Sequence, residues 1–230
     1  MKRFYKTVAV EATDDGWRVT LDGRAVRTAG GRPQVVPTRA LAQALADEWD
    51  QQGETIAPTT FPYRDLVDFA IDAITPSPQT AVTELLPYAE TDTLCYRADP
   101  DEALYKRQMA VWEPVLQAAE QRLGVTFVRI SGVIHKPQPD ATLVALRREL
   151  DAADAFQLAA LKMLASLSAS LVIALEAVRP AADAQGLWQA CELEADWQVE
   201  LWGEDAEAAE LRATRFSAFQ LAISLAQLSR

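Results

Sequence analysis

The chain has 230 residues, half of them hydrophobic and 24% charged, the balance of a soluble globular protein with room for one domain or two. Its 33 acidic residues outnumber 22 basic ones, giving a net charge of -11. That charge argues against nucleic acid, which demands a basic surface to displace counterions, and against anionic membranes; a basic protein surface is the more natural partner.

The first forty residues alternate and turn like strands, with runs over Phe4–Val10, Trp17–Leu21 and Ala25–Thr28. Asp22-Gly23 is a strong hairpin signal, and Gly30-Gly31 marks a second reversal before Gln34–Val36. Thr38 is placed to cap a helix carrying Leu41, Leu45, Glu48 and Trp49 at helical spacing. From Pro62 the period is helical, with Leu66, Phe69, Ala70, Ala73 and Ile74 forming an apolar stripe, until Pro76 and Pro78 break the chain. The expected architecture is α+β: an antiparallel β-rich N-terminal domain over 1–75 and a mostly α-helical C-terminal domain over 76–230.

Further helices are predicted over Thr80–Tyr96, Pro100–Leu123, Ala141–Leu150, Asp154–Val178, Asp183–Trp202 and Asp205–Leu228, with Gly124 and Gly203 at C-terminal caps. Val125–Ile130 reads as a lone strand. Leu164–Leu175 is the most hydrophobic segment but is too short for a bilayer span of about 20 residues, and reads as a buried helix. The opening Met1–Val8 carries no apolar stretch behind its charges, so neither a secretory signal nor a transit peptide is expected, and a cytoplasmic location follows. Cys95 and Cys191 lie far apart among apolar neighbours, as reduced, packed thiols do.

Catalytic constellations are sparse. His135, the single histidine, sits in the loop Ile134–Pro139 and reads as solvated or structural, so no zinc site and no other metal site is expected. No phosphate-binding glycine loop and no nucleophile elbow occurs, so no cofactor and no catalytic residue is assigned. Asp92 and Arg97 are placed as an internal polar pair.

One carboxylate stands out. With about 100° per residue on a helical wheel, Leu187, Ala190, Cys191, Leu193, Trp197, Leu201 and Trp202 gather into one apolar arc, and Glu194 falls in its middle. Glu192, Asp196 and Glu200 lie on the polar side, and Gln198 is placed one turn from Glu194 to donate to its carboxylate. Burying such an acid is expensive unless it is paired, so Glu194 is either satisfied inside the fold by Gln198 and an arginine, left wet where the arc outruns the core, or part of a site completed by another molecule. Trp188, Trp197 and Trp202 on the same segment suit either core packing or an interface, with Glu204 following.

The segments Arg3–Lys6, Leu21–Arg24, Glu48–Gln51, Thr91–Arg97, and Glu194-x-x-x-Gln198 running into Leu201–Asp205 resemble, in order along nearly the whole chain, the ATP-twelve family of ATP synthase assembly chaperones. The resemblance implies a non-enzymatic chaperone whose client is the newly made alpha subunit of the catalytic sector, held soluble until the beta subunit arrives. It implies a bacterial, cytoplasmic protein with relatives in the mitochondrial matrix, and a monomer when free. It places the family's C-terminal glutamate on Glu194, in the Glu-x-x-x-Gln frame with Gln198, and carries over Trp49; the reading of the residues themselves adds Trp197, Trp202 and Glu204 to the expected partner-binding set. Phe61–Arg64 and Trp112–Pro114 depart from the family's usual residues. Two other readings stand beside it: an acid/base enzyme using Glu194, and a stable structural subunit of a complex.

Overall fold

The computed structural model of the chain describes residues 1–132 and 134–230. Antiparallel strands come first and helices dominate thereafter, an α+β fold as expected. The chain divides into two compact units: Met1–Pro78 with Asp154–Ala160 and Ser224–Arg230, and Gln79–Ala153 with Leu161–Ile223.

In the first unit, β1 (Val8–Thr13) and β2 (Gly16–Leu21) form a hairpin in register Val8↔Leu21 to Thr13↔Gly16, closed by Asp14-Asp15. The strand starts later than Phe4 because the Asp22 carboxylate accepts from Lys6 N (3.1 Å) and Thr7 N (2.9 Å), diverting those amides from the ladder. Asp22 and Gly23 adopt φ of 48° and 77°, the left-handed pair that a tight turn demands, and lead into β3 (Arg24–Ala25), which also pairs with β2. β4 (Val35–Val36) joins β2 at Trp17 and Arg18. Between them the Gly30 loop is held by two acids: Asp68 accepts from Ala29 N (2.9 Å) and Gln34 Nε2 (2.6 Å), Asp72 from Gly30 N (2.8 Å). A Cβ on Gly30 would lie 2.7 Å from Asp72 Oδ2, so a larger residue would push the Asp72 carboxylate away from the loop it holds.

Thr38 Oγ1 accepts from Leu41 N (3.1 Å) and starts α1 (Arg39–Asp50), whose Leu41, Ala42, Leu45, Ala46 and Trp49 are buried beside the hairpin. Glu48 is buried too: its two oxygens accept from Tyr63 N (2.6 Å) and Arg64 N (3.0 Å), capping α2 (Pro62–Phe69) from outside that helix. Burial outweighs those donors and pushes the Glu48 carboxyl up to about 7. The buried face of α2 and its π-helical continuation Ala70–Ile74 is Leu66, Val67, Asp68, Ala70 and Ile74; Phe69 and Ala73, predicted in the stripe, are exposed because Asp68 turns inward to the loop it holds. The C-terminal residues complete this unit, with Tyr63 Oη donating to Ser224 Oγ (2.6 Å) and Thr38 Oγ1 to the Leu228 carbonyl.

In the second unit the segment predicted as one helix over Thr80–Tyr96 is α3 (Pro78–Leu85), whose first residue belongs to the other unit, then α4 (Pro87–Glu90), a 3-10 turn over Thr93–Cys95 and β5 (Tyr96–Arg97). Pro87 lacks the amide that would continue α3. β5 pairs in parallel with β6 (Ile130–Ser131), so the lone strand has a partner but is shorter than predicted. Between them runs α5 (Ala103–Leu123), ended by Gly124 at φ 67°. α6 (Asp140–Asp151) follows.

The long apolar helix predicted over Asp154–Val178 is two helices, α7 (Ala155–Ser168) and α8 (Leu171–Ala177). Ala169 sits at φ 48°, and Ser170 Oγ caps Ile173 N at 3.0 Å. Asp92, wholly buried, accepts from Val172 N (2.9 Å) and Leu94 N (3.0 Å), so one carboxylate caps both α8 and the 3-10 turn. It is therefore not paired with Arg97, whose guanidinium meets Glu113 at 3.1 Å and the Leu94 carbonyl at 2.8 Å. Among the described residues no helix is long and apolar enough to cross a membrane.

Candidate functional site

The segment carrying Glu194 is α9 (Ala184–Cys191), α10 (Leu193–Trp202) and, after Gly203, α11 (Ala206–Leu228). Glu192 interrupts the predicted single helix, with ψ at 6° rather than the helical value of about −42°. The break inverts the two acids. Glu192, placed on the polar side of the wheel, is buried; Glu194, placed in the apolar arc, is exposed.

Glu192 is held by two cations from α11, with Arg212 Nε 3.1 Å and Arg215 Nη1 3.2 Å from its oxygens. Arg212 also pairs with Asp196, and Arg215 donates to the Leu167 carbonyl at 2.7 Å while lying 5.7 Å from the Trp188 ring. Trp188 in turn packs against Phe216 and Phe219, each at 5.4 Å. Here stands the buried acid with arginine partners, two residues before the position that periodicity singled out.

Glu194 has a different environment. Its partner is not Gln198 but Gln108 of α5, wholly buried, whose Nε2 donates to Glu194 Oε1 at 2.8 Å while its Oε1 accepts from Ala98 N at 2.8 Å. The amide thus ties Ala98, just past β5, to the start of α10, where the free backbone amides of a helix N-terminus also favour an acid. Trp112, beside it on α5, donates its Nε1 to the Ala190 carbonyl at 2.7 Å. Neither Gln108 nor Trp112 was legible as a partner of this helix, because both contacts span more than seventy residues.

The rest of α10 is largely wet. Gln198 is exposed and Trp197 half-buried, with the Arg107 guanidinium 5.8 Å from the Trp197 ring. Arg107 also donates to Glu200 at 2.6 Å and holds that carboxyl below the usual range. Leu201 is 55% exposed and Trp202 76%, with Leu211 of α11 at 62%. The predicted apolar arc therefore outruns the core and faces solvent, and Leu193 is its one buried residue within α10. Between α10 and α11 lies a groove of about 210 Å³ whose lining joins Ala195, Val199, Ala208 and Leu211 to the charged Glu192, Glu204, Arg212 and Arg215.

Five of the six predicted partner-binding residues thus share this unit. Trp49 belongs to the N-terminal unit, where it is 6% exposed and packs between Tyr5 (5.6 Å) and Phe61 (4.6 Å). The two thiols are free: Cys95 is buried and shifted upward, and burial pushes Cys191 up to about 12, so neither is poised as a nucleophile. His135 is exposed, its Nδ1 2.9 Å from Tyr96 Oη.

Comparison with known proteins agrees with this architecture. The crystal structure of Atp12 from Paracoccus denitrificans superposes with a TM-score of 0.94 at 35% identity, covering 100% of this chain and 98% of that one. That of the Atu1473 protein from Agrobacterium tumefaciens gives 0.94 at 38% identity, covering 100% of this chain and 86% of that one. The mitochondrial protein atp12 of Schizosaccharomyces pombe is 26% identical over 222 residues, 91% of this chain and 76% of the relative. Residues 2–120 match the family described as ATP12 chaperone protein, and with 35% identity to a solved Atp12 over its full length, the chain belongs to the ATP12 chaperone family.

Proposed function

We propose that this protein binds the newly made alpha subunit of the ATP synthase catalytic sector through the exposed face of α10 and holds it soluble until the beta subunit arrives. As a member of the ATP12 family it is a chaperone of ATP synthase assembly. The observation that carries the choice of surface is the exposure of Trp202 at 76% and Leu201 at 55% on a single helix end. Large apolar side chains clustered on an otherwise acidic surface mark a docking site, and tryptophan is the commonest anchor of such sites.

Glu194 supplies the polar part of this face. Its carboxylate is fixed by Gln108 yet open to solvent, so it can accept from an arginine or from backbone amides of the client without first being ordered. Gln198 and Trp197 flank it on the same helix and Glu204 lies beyond its end. Occupancy of the client's apolar interface suppresses aggregation without nucleotide, and release follows when the better-matched beta subunit competes. The free chaperone acts as a monomer in the bacterial cytoplasm on this reading.

Co-expression with the alpha subunit tests it. The alpha subunit should stay soluble only with the chaperone present, and Glu194→Gln together with Trp202→Ser should abolish that protection while leaving the chaperone folded. Undiminished protection by a folded double variant would locate the client elsewhere.

A further inference from the structure

The N-terminal unit carries a second surface that α10 does not explain. A groove of about 530 Å³ is lined by Phe4, Val26, Trp49, Arg24, Arg27 and Arg64, with Asp22 at its edge. Its floor is aromatic. Phe4 is 62% exposed and stands edge-on to Tyr5 at 5.3 Å, which stands edge-on to Trp49 at 5.6 Å. An exposed phenylalanine at the head of a packed aromatic row offers an apolar contact that the fold itself leaves open.

Two of the residues that line the groove also carry buried donors without acceptors. Trp49 is more than nine-tenths buried, yet its Nε1 has no hydrogen-bond partner among the described residues; buried indole N–H groups ordinarily find one. Arg64 lies 5.3 Å from the Trp49 ring and 5.3 Å from that of Phe61, and its buried Nε likewise makes no hydrogen bond among the described residues, with Asp68 at 3.7 Å as an ion-pair neighbour only. Arg24 and Arg27 are exposed and pair with no carboxylate among the described residues; Arg27 donates to the Gly31 carbonyl at 2.8 Å. The one acid at the rim, Asp22, is already engaged by Lys6 N, Thr7 N and Thr7 Oγ1.

These features converge on one kind of ligand. On a chain of net charge -11, Arg24 and Arg27 beside one aromatic groove have no carboxylate partner among the described residues, and with Arg64, ion-paired to Asp68, next to them they are complementary to negative charge. A free inorganic anion would meet the cations but leave Phe4 uncovered. A carboxylate-bearing residue beside an apolar one satisfies both, with the carboxylate on the arginines and the apolar side chain on the aromatic row. We propose that this groove docks an acidic segment of a partner protein in which carboxylates alternate with large apolar side chains. It is a contact separate from the α10 face and does not depend on it.

Fluorescence anisotropy on the full chain tests this with two labelled probes, a twelve-residue peptide alternating Glu and Leu and its counterpart alternating Lys and Leu. The acidic probe should bind at least tenfold more tightly than the basic one. Its affinity should fall at least tenfold in Arg24→Glu/Arg27→Glu, whose sites are exposed and whose thermal unfolding should be unchanged, and severalfold in Phe4→Ala. It should be unaffected by Trp202→Ser, so failure of the α10 reading and failure of this one are separable. Equal binding of the two probes, no binding of either, or full affinity in the folded Arg24→Glu/Arg27→Glu variant would overturn the proposal. So would complete displacement by millimolar inorganic phosphate with no effect of Phe4→Ala, which would reduce the groove to a simple anion site.

Discussion

Gln108 and Glu194, 86 residues apart, share a 2.8 Å hydrogen bond in which a wholly buried amide orients an exposed carboxylate. The amide cannot turn over. Its oxygen already accepts from Ala98 N at 2.8 Å, so its NH2 group must face Glu194. Gln108→Leu would leave the Ala98 amide without its acceptor and should cost about 1–3 kcal/mol in urea unfolding. Glu194→Gln should be nearly silent in the same measurement, since the new amide oxygen still accepts from Gln108; its effect is expected in client protection alone.

Glu192 is the structural counterpart. Removing its charge by Glu192→Gln deprives Arg212 and Arg215 of a shared partner, but both arginines reach solvent in part and can recover hydration. The expected loss is therefore about 2 kcal/mol, below the cost of stranding a fully buried ion, read from the urea midpoint at pH 7. An equal loss in Glu194→Gln would contradict the division of labour between the two acids.

Two buried carboxylates contribute most to a loss of stability toward neutral pH, and Asp68, also raised by burial, adds in the same direction. Glu48 is raised from 4.5 to about 7 and Asp92 from 3.8 to about 6, chiefly by burial. Each binds its proton more tightly in the folded state than in the unfolded one. Unfolding therefore releases protons between the unfolded and folded values, and stability falls as pH rises from about 4 to about 7. Glu48→Gln removes one of these titrations, so the natural chain should lose stability relative to the variant by on the order of 1–3 kcal/mol as pH rises from 4.5 to 7, measured by urea unfolding in a pH series. A gap that is constant with pH would mean that Glu48 does not titrate in this window.

Ala169 is exposed at φ 48°, between α7 and α8, in a conformation that costs an L-residue about 1–2 kcal/mol. Ala169→Gly should raise stability by roughly 0.5–1 kcal/mol once the greater freedom of the unfolded glycine is counted, seen as a higher thermal midpoint. A lower midpoint would show that the alanine methyl contributes packing.

Trp202→Ser alone should leave the urea midpoint within about 0.5 kcal/mol, as substitutions at exposed positions generally do, while reducing the fraction of alpha subunit kept soluble on co-expression. A large loss of stability would mean that Trp202 serves the fold and not a partner.

Much of the molecule was written in local chemistry. Asp22-Gly23 specifies a left-handed turn, Thr38 a cap and Gly124 a helix end, because each acts within a few residues of itself. The ordered motifs carried the family. Where the reading failed, the deciding contact came from far along the chain. Asp92 splits the apolar segment into α7 and α8 by reaching Val172 across 80 residues, and no periodicity within that segment announces it. The acids of α10 show the same limit. Sequence alone marked an anomalous carboxylate and tryptophans at helical spacing, but a wheel keeps its phase only while the helix is continuous, and the turn at Glu192 resets it. Only the tertiary structure, by bringing Arg212 and Arg215 to Glu192 and Gln108 to Glu194, decided which acid is buried and which meets solvent, because the energy of a buried charge is set by partners that the chain supplies from elsewhere.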